Sequence, residues 1–246
     1  MSRPRVALLN AAHDPADTTR NFRRELDADL AEYHVQRGEF PAPVGDADGS
    51  AATGGPPTER CEFDGVVVTG SRSSVYWDDD WIPRLLEYVA DCHDAGVPVL
   101  GVCFGHQALA AALGGRVDDM GEYEIGYREV ERTADDPVFE GVGETFTAFT
   151  THSDAVVDLP EGADLLAEND YGVHAFRVDQ SVGVQFHPEY DRETAERITR
   201  EKDELSPARE AAVLDGITAE NYDAACEAKR LFENFTSSLG EPRAAD

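Results

Sequence analysis

Short apolar runs alternate with amphipathic stretches along most of the chain. Arg5–Asn10 (RVALLN) reads as a buried strand, and residues 18–30 carry apolar and aromatic side chains at helical spacing. A second strand is expected over 33–39, followed by a loop over 41–58, where Pro, Gly, Ala and Asp dominate. The run GVVVTG at 65–70 predicts a third strand, 80–95 a helix, and 97–102 a further buried strand. A helix should begin just after Cys103 and stop at Gly114-Gly115. Further on the pattern changes. Residues 127–132, 145–150, 173–178 and 181–185 read as strands separated by turns, and 192–204 and 218–237 as helices, the latter capped by Thr218.

Alternating strands and helices predict an α/β fold, a parallel or mixed central sheet with helices on both faces, plus a C-terminal helical extension. The expected organisation is one domain over 1–190, with 191–246 packed on it as the extension. A length of 246 residues is ample for one sizeable core.

Charge narrows the partners. With 21 Lys+Arg against 50 Asp+Glu the formal net charge is −29. So acidic a surface argues against nucleic acid and anionic membranes as partners. No run approaches the roughly 20 apolar residues a membrane-spanning helix needs, and no signal peptide is evident, so a soluble, cytoplasmic protein is expected. Only Lys202 and Lys229 are lysines. Abundant carboxylates with so little lysine suggest a halophile's protein, since at molar salt the Debye length of about 3 Å screens self-repulsion. The cysteines Cys61, Cys92, Cys103 and Cys226 form no C-x-x-C pair, which argues against a disulfide framework or a cysteine zinc site.

One cysteine is placed differently from the others. In Val99-Leu100-Gly101-Val102-Cys103-Phe104-Gly105-His106-Gln107 an apolar strand runs through Gly-x-Cys-x-Gly straight into a helix. This is the pattern of a nucleophile elbow, with Gly101 and Gly105 leaving room for a cramped turn. The helix N-terminus favours a Cys103 thiolate, and the Phe104 amide points where an oxyanion would form. Taken alone, the segment could equally be a buried structural cysteine at a strand end. The second segment, Gly183-Val184-Gln185-Phe186-His187-Pro188-Glu189, ends a strand in His-Pro-Glu. A strand's period of two would put His187 and Glu189 on one side, as base and orienting acid for a thiol nucleophile.

Together the G-x-C-x-G-x-Q elbow and the distal H-P-E resemble the class I, triad-type glutamine amidotransferases, over about residues 5–190, and most of all their GMP synthase-like stand-alone members. The resemblance implies a flavodoxin-like fold and Cys103, His187 and Glu189 as catalytic residues. It implies Gly70 and Ser71 in the oxyanion-strand loop, where the family more often reads Gly-Gly-Pro and this chain has Gly70-Ser71-Arg72. Ser71 then supplies the second oxyanion amide beside Phe104. It further implies that Gln107 helps hold the substrate, that Thr151, His152, Ser153 and Asp154 line the glutamine pocket, and that Glu124–Tyr127 is the strand segment leading into it. On its own residues His152 could equally be a hydrogen-bonded loop histidine. The remaining histidines His13, His34, His93 and His174 are given no chemistry, His106 is expected to pack or face the pocket rim, and Trp77 and Trp81 read as core or rim aromatics.

The activity implied is glutamine hydrolysis through a γ-glutamyl thioester, with no metal or organic cofactor. No Ser-Gly-Gly-x-Asp-Ser or G-x-x-x-x-G-K-[ST] phosphate loop is present, so the chain is not expected to activate an acceptor for ammonia. Three readings follow: an amidotransferase serving a separate synthase subunit, a γ-glutamyl peptidase acting alone, or an idle binding module on the same scaffold.

Overall fold

The computed structural model describes residues 3–44 and 62–239. Most of the expected loop over 41–58, and Cys61, lie outside the described residues.

The first strand, β1 (Arg5–Asn10), is flanked by the edge strand β2 (Asp29–His34) and by β3 (Gly65–Val68), all parallel. Next come β4 (Val99–Val102) and β9 (Ser181–Val184), again parallel. The sheet then turns antiparallel through β8 (Gly172–Val178), β7 (Asp164–Asn169), β5 (Arg116–Arg132) and β6 (Thr145–Asp158). The full order is β2-β1-β3-β4-β9-β8-β7-β5-β6, whose parallel half has the flavodoxin-like arrangement. It is the mixed sheet with flanking helices that the alternation predicts.

The parallel strands are buried on both faces, so they read as continuous apolar runs. Val6 and Leu8 face one core with Val67, Leu100, Val102, Val184 and Phe22 of α1 (Pro15–Glu25). Ala7 and Leu9 face the other with Val66, Val68 and Val99, beneath α2 (Trp81–Asp94) and α3 (Phe104–Ala112). Beyond residue 190 the chain forms α4 (Arg192–Arg200), α5 (Pro207–Gly216), α6 (Ala219–Ala225) and α7 (Arg230–Ser238). Leu231, Phe232 and Phe235 of α7 are buried in the first core, where Phe232 meets Phe22 edge to face at 5.8 Å.

Several element boundaries differ from the sequence expectation. Asp14 caps α1, Pro15 occupies its first turn, and Leu26 is already extended, so the apolar Leu26 and Ala28 belong to the turn into β2. Residues 35–37 form a 3-10 turn closed by Gly38 at φ 76°, and strand β2 precedes them. Strands β5 and β6 run well beyond 127–132 and 145–150, because a bulge between Asp119 and Glu124 breaks the period-two pattern. Irregular register along β7 hid that strand, and α5 buries no residue that would mark a helical stripe. Thr218 does cap a helix, accepting from the amide of Asn221, but the expected 218–237 helix is α6, a 3-10 segment and α7.

Candidate active site

Three neighbouring parallel strands deliver their following loops to one edge of the sheet: β3 leads to Gly70 and Ser71, β4 to Cys103, and β9 to His187. Crevices outside the carboxyl ends of parallel strands are where open α/β sheets bind ligands.

Cys103 sits between β4 and α3 at φ 55°, a left-handed conformation that non-glycine residues rarely adopt, while its N–H donates to Val184 O at 2.8 Å. The turn closes only because its flanking residues lack side chains. A Cβ on Gly101 would lie 2.2 Å from the carbonyl oxygen of Gly105, and one on Gly105 would lie 2.2 Å from that of Val68. Phe104 opens α3, where a backbone N–H has no intrahelical acceptor. The opposite loop is tied down through Ser71, whose Oγ accepts from the Ser73 amide at 3.2 Å and from Gln36 Nε2 at 3.3 Å. A Cβ on Gly70 would lie 3.0 Å from His187 Cε1 and 3.6 Å from Cys103 Cβ. These contacts put the loop, the thiol and the imidazole within one contact shell.

His187 and Glu189 lie just past β9, in a turn, so their common orientation comes from that turn and not from strand alternation. His187 Nδ1 is 2.8 Å from Glu189 Oε1, the His187 amide donates to Phe149 O at 2.8 Å, and Tyr190 stacks on the ring at 4.1 Å. Arg24 of α1 donates to the Glu189 carbonyl and pairs with Asp191, holding the turn from outside. Burial disfavours a charged imidazole, but the carboxylate of Glu189 and the sulfur of Cys103 outweigh it and push His187 up to about 10. The other Glu189 oxygen, Oε2, is buried with no hydrogen-bond partner among the described residues.

Two cavities meet at Cys103. The smaller, about 230 Å³, is bounded by Ser71, Gln107, Thr151, His152, Ser153 and Asp154. The larger, about 380 Å³, lies on the side of His187, Glu189 and Tyr190. Arg72, Glu201 and Lys202 border both, and Arg72 pairs with Glu201 at 2.5 Å. The end of α4 therefore roofs the crevice.

The structure thus brings together every residue singled out for the site, with some shared duties. Gln107 spends both amide N–H groups on Asp154 O and Gln185 Oε1, at 3.0 and 3.1 Å, leaving its carbonyl oxygen for any ligand. The Asp154 carboxylate, 7% exposed, accepts from Ser74 Oγ and Tyr76 O–H. Nothing in the sequence linked Ser74 and Tyr76, in the loop that carries Ser71, to Asp154. Thr151, which opens the segment read as lining the pocket, borders both cavities, and its carbonyl oxygen lies 3.9 Å from Cys103 Sγ. His174, given no chemistry, joins Glu124 and His152 in a buried cluster whose ligand-type atoms lie within 4.8 Å of one another and are already engaged by mutual hydrogen bonds. His106 is buried beside Phe176 rather than at the rim, Trp81 packs on Phe104, and Trp77 is half exposed.

A strained cysteine elbow beside a buried His–Glu pair is the arrangement of thiol acyl transfer. The family model for glutamine amidotransferase class-I matches residues 30–202. The chain belongs to the class-I glutamine amidotransferases. Among curated relatives, the glutamine-hydrolysing GMP synthase of Thermomicrobium roseum is 40% identical over 126 residues, 51% of this chain and 23% of that enzyme. The corresponding enzyme of Vibrio vulnificus is 39% identical over 129 residues, 51% of this chain and 24% of that enzyme. This chain therefore spans about a quarter of the length of those synthases. Crystal structures of glutamine amidotransferases from Thermotoga maritima and Methylobacillus flagellatus share the fold, each with a TM-score of 0.73 at 21% identity. They cover 96% and 100% of this chain, which covers 99% of each. Among its described residues no helix is long and apolar enough to cross a membrane.

Proposed function

We propose that this chain hydrolyses the side-chain amide of glutamine, with Cys103 as nucleophile, His187 as acid and base, and Glu189 as the group that orients His187. The observation that carries it is the delivery of Cys103 and the His187–Glu189 pair from adjacent parallel strands to one buried point. In the ion-paired state the thiolate attacks the amide carbon, and the oxyanion is held by the Ser71 and Phe104 amides. His187 protonates the nitrogen, the carbon–nitrogen bond breaks, and ammonia leaves a γ-glutamyl thioester. His187 then takes a proton from water, whose oxygen attacks the thioester, and glutamate departs as the thiolate and imidazolium are restored.

The amino-acid end of glutamine fits the smaller cavity, where the Asp154 carboxylate suits an α-ammonium group and Gly70, Gln107, His152 and Ser153 complete the surround. Residues 1–190 form the catalytic domain in this reading, and 191–246 an extension whose first helix roofs the cleft. Kinship with GMP synthases supports a separate synthase subunit as the acceptor of ammonia. A cytoplasmic setting suits that metabolism.

One observation favours a second reading, γ-glutamyl peptide or amide hydrolysis by the chain alone. The leaving nitrogen faces His187, and the cavity there, about 380 Å³, is far larger than ammonia requires. Steady-state assays of the purified chain with glutamine and with γ-glutamyl dipeptides decide between them. Glutamine is expected to be the better substrate, with turnover rising when a synthase subunit is added; turnover of dipeptides but not glutamine would establish the second reading.

The charge of −29 belongs, in this proposal, to the solvent-facing shell and to a salt-rich cytoplasm. Activity and melting temperature should both fall as salt is withdrawn from molar concentration and screening is lost. Full activity and an unchanged melting temperature in dilute buffer would remove the halophile reading and leave the catalytic one standing.

A further inference from the structure

Behind the smaller cavity lies a charged cluster that the proposed chemistry does not use. Glu124 and His152 are register partners on β5 and β6, placed opposite each other just after the bulge that follows Asp119. Glu124 is fully buried and His152 is 5% exposed. His152 Nε2 lies 2.6 Å from Glu124 Oε2, and His174 Nε2, from β8, lies 3.1 Å from the same oxygen. Asn169, at the end of β7, donates to Glu124 Oε1 at 2.7 Å. Four strands are thus joined through one carboxylate.

Proton counting defines the state of the cluster. His152 Nδ1 is 2.9 Å from the carbonyl oxygen of Asp154, which only accepts, so that nitrogen carries a hydrogen. The Nε2 of the same ring faces the carboxylate, so the pair shares one further proton. Burial alone would raise the Glu124 carboxyl, but hydrogen bonds from His152 and His174 outweigh it and hold it well below the usual carboxylate range. Burial lowers His174, and burial with the neighbouring His174 and His152 pushes His106 down to about 3. The His152 ring is thus held between Glu124 and the backbone of the pocket wall.

We propose that Glu124 is a positioning residue for the glutamine pocket. By holding the His152 ring, whose Nδ1 donates to Asp154 O, it sets the edge of β6, from Thr151 to Asp154, that walls the smaller cavity. Gln107 grips the same carbonyl oxygen from α3 at 3.0 Å, so the edge is held from two sides. Substrate binding then depends on Glu124 although no substrate atom touches it. The inference rests on the glutaminase reading, and alkylation of Cys103 without substrate tests that reading separately.

Glu124→Gln keeps shape and removes the charge. The expected result is a KM for glutamine at least tenfold higher, a kcat within about threefold of the parent, and an unchanged rate of Cys103 alkylation by iodoacetamide. His174→Gln, which keeps an N–H for Glu124, should shift KM far less than His174→Leu, guarding against a fold that fails at position 124. An unchanged KM in a folded Glu124→Gln protein, or stoichiometric zinc held by these side chains, would overturn the proposal. If the parent's Cys103 alkylates no faster than a free thiol, the glutaminase reading falls instead.

Discussion

Replacing Cys103 with alanine should lower glutamine turnover by at least about 10⁴-fold while the protein stays folded, given what removal of a triad nucleophile costs elsewhere. The reason is positional. Cys103 owes its place to a backbone at φ 55° and to two glycines that cannot carry side chains, so its sulfur sits where the two cavities meet. The hydroxyls nearby are committed: Ser71 Oγ to Ser73 and Gln36, and Thr151 Oγ1 to Tyr123 at 3.2 Å. Neither can replace the thiol without rearranging its loop. Alanine removes only the sulfur and leaves the elbow backbone as strained as before, so the melting temperature should move little. Ammonia release measured alongside thermal unfolding separates the two effects. Turnover close to the parent's would remove Cys103 from the chemistry.

Much of this site was legible because its chemistry is local in sequence. The elbow needs glycines at fixed offsets around Cys103, and those offsets can be read without coordinates; so can His187 and Glu189, two residues apart. What could not be read is what assembles at long range. Glu124, His152, Asn169 and His174 come from four strands, and no spacing links them. Asp154 was singled out, but its partners Ser74 and Tyr76 lie about 80 positions earlier in the chain. The strand boundaries failed for a related reason. Where β5 carries a bulge and β7 an irregular register, the period of two that reveals a strand is broken, and pairing with neighbours sets the extent instead. At β2 the turn residues Leu26 and Ala28 mimicked a helical stripe, because apolar side chains at that spacing serve a tight connection as well as a helix face.

Glu189→Gln should cost about 10⁴ in kcat, the size of the corresponding acid-to-amide exchange in a serine triad. In the parent, Glu189 Oε1 accepts from His187 Nδ1, which leaves Nε2 for the sulfur. A glutamine can present its N–H₂ to Nδ1 instead, which stabilises the wrong tautomer and turns the protonated nitrogen away from its task. The charge matters as much as the geometry. Burial pulls the His187 pKa down, and it stands at about 10 only because Glu189 and Cys103 override that pull. Removing the carboxylate lowers it, so the alkaline limb of kcat/KM should move down from about pH 10. Stability carries the same sign: a histidine raised from 6.5 to about 10 on folding contributes fully below pH 6.5, and that contribution is lost as pH climbs through about 10. The parent's unfolding free energy should therefore decline across that window, and the decline should flatten in the variant. A pH–rate profile and denaturant titrations from pH 6 to 10.5 read both effects. An alkaline limb that stays in place after the substitution would show that Glu189 does not set the protonation of His187, and the acid's role in the triad would have to be given up.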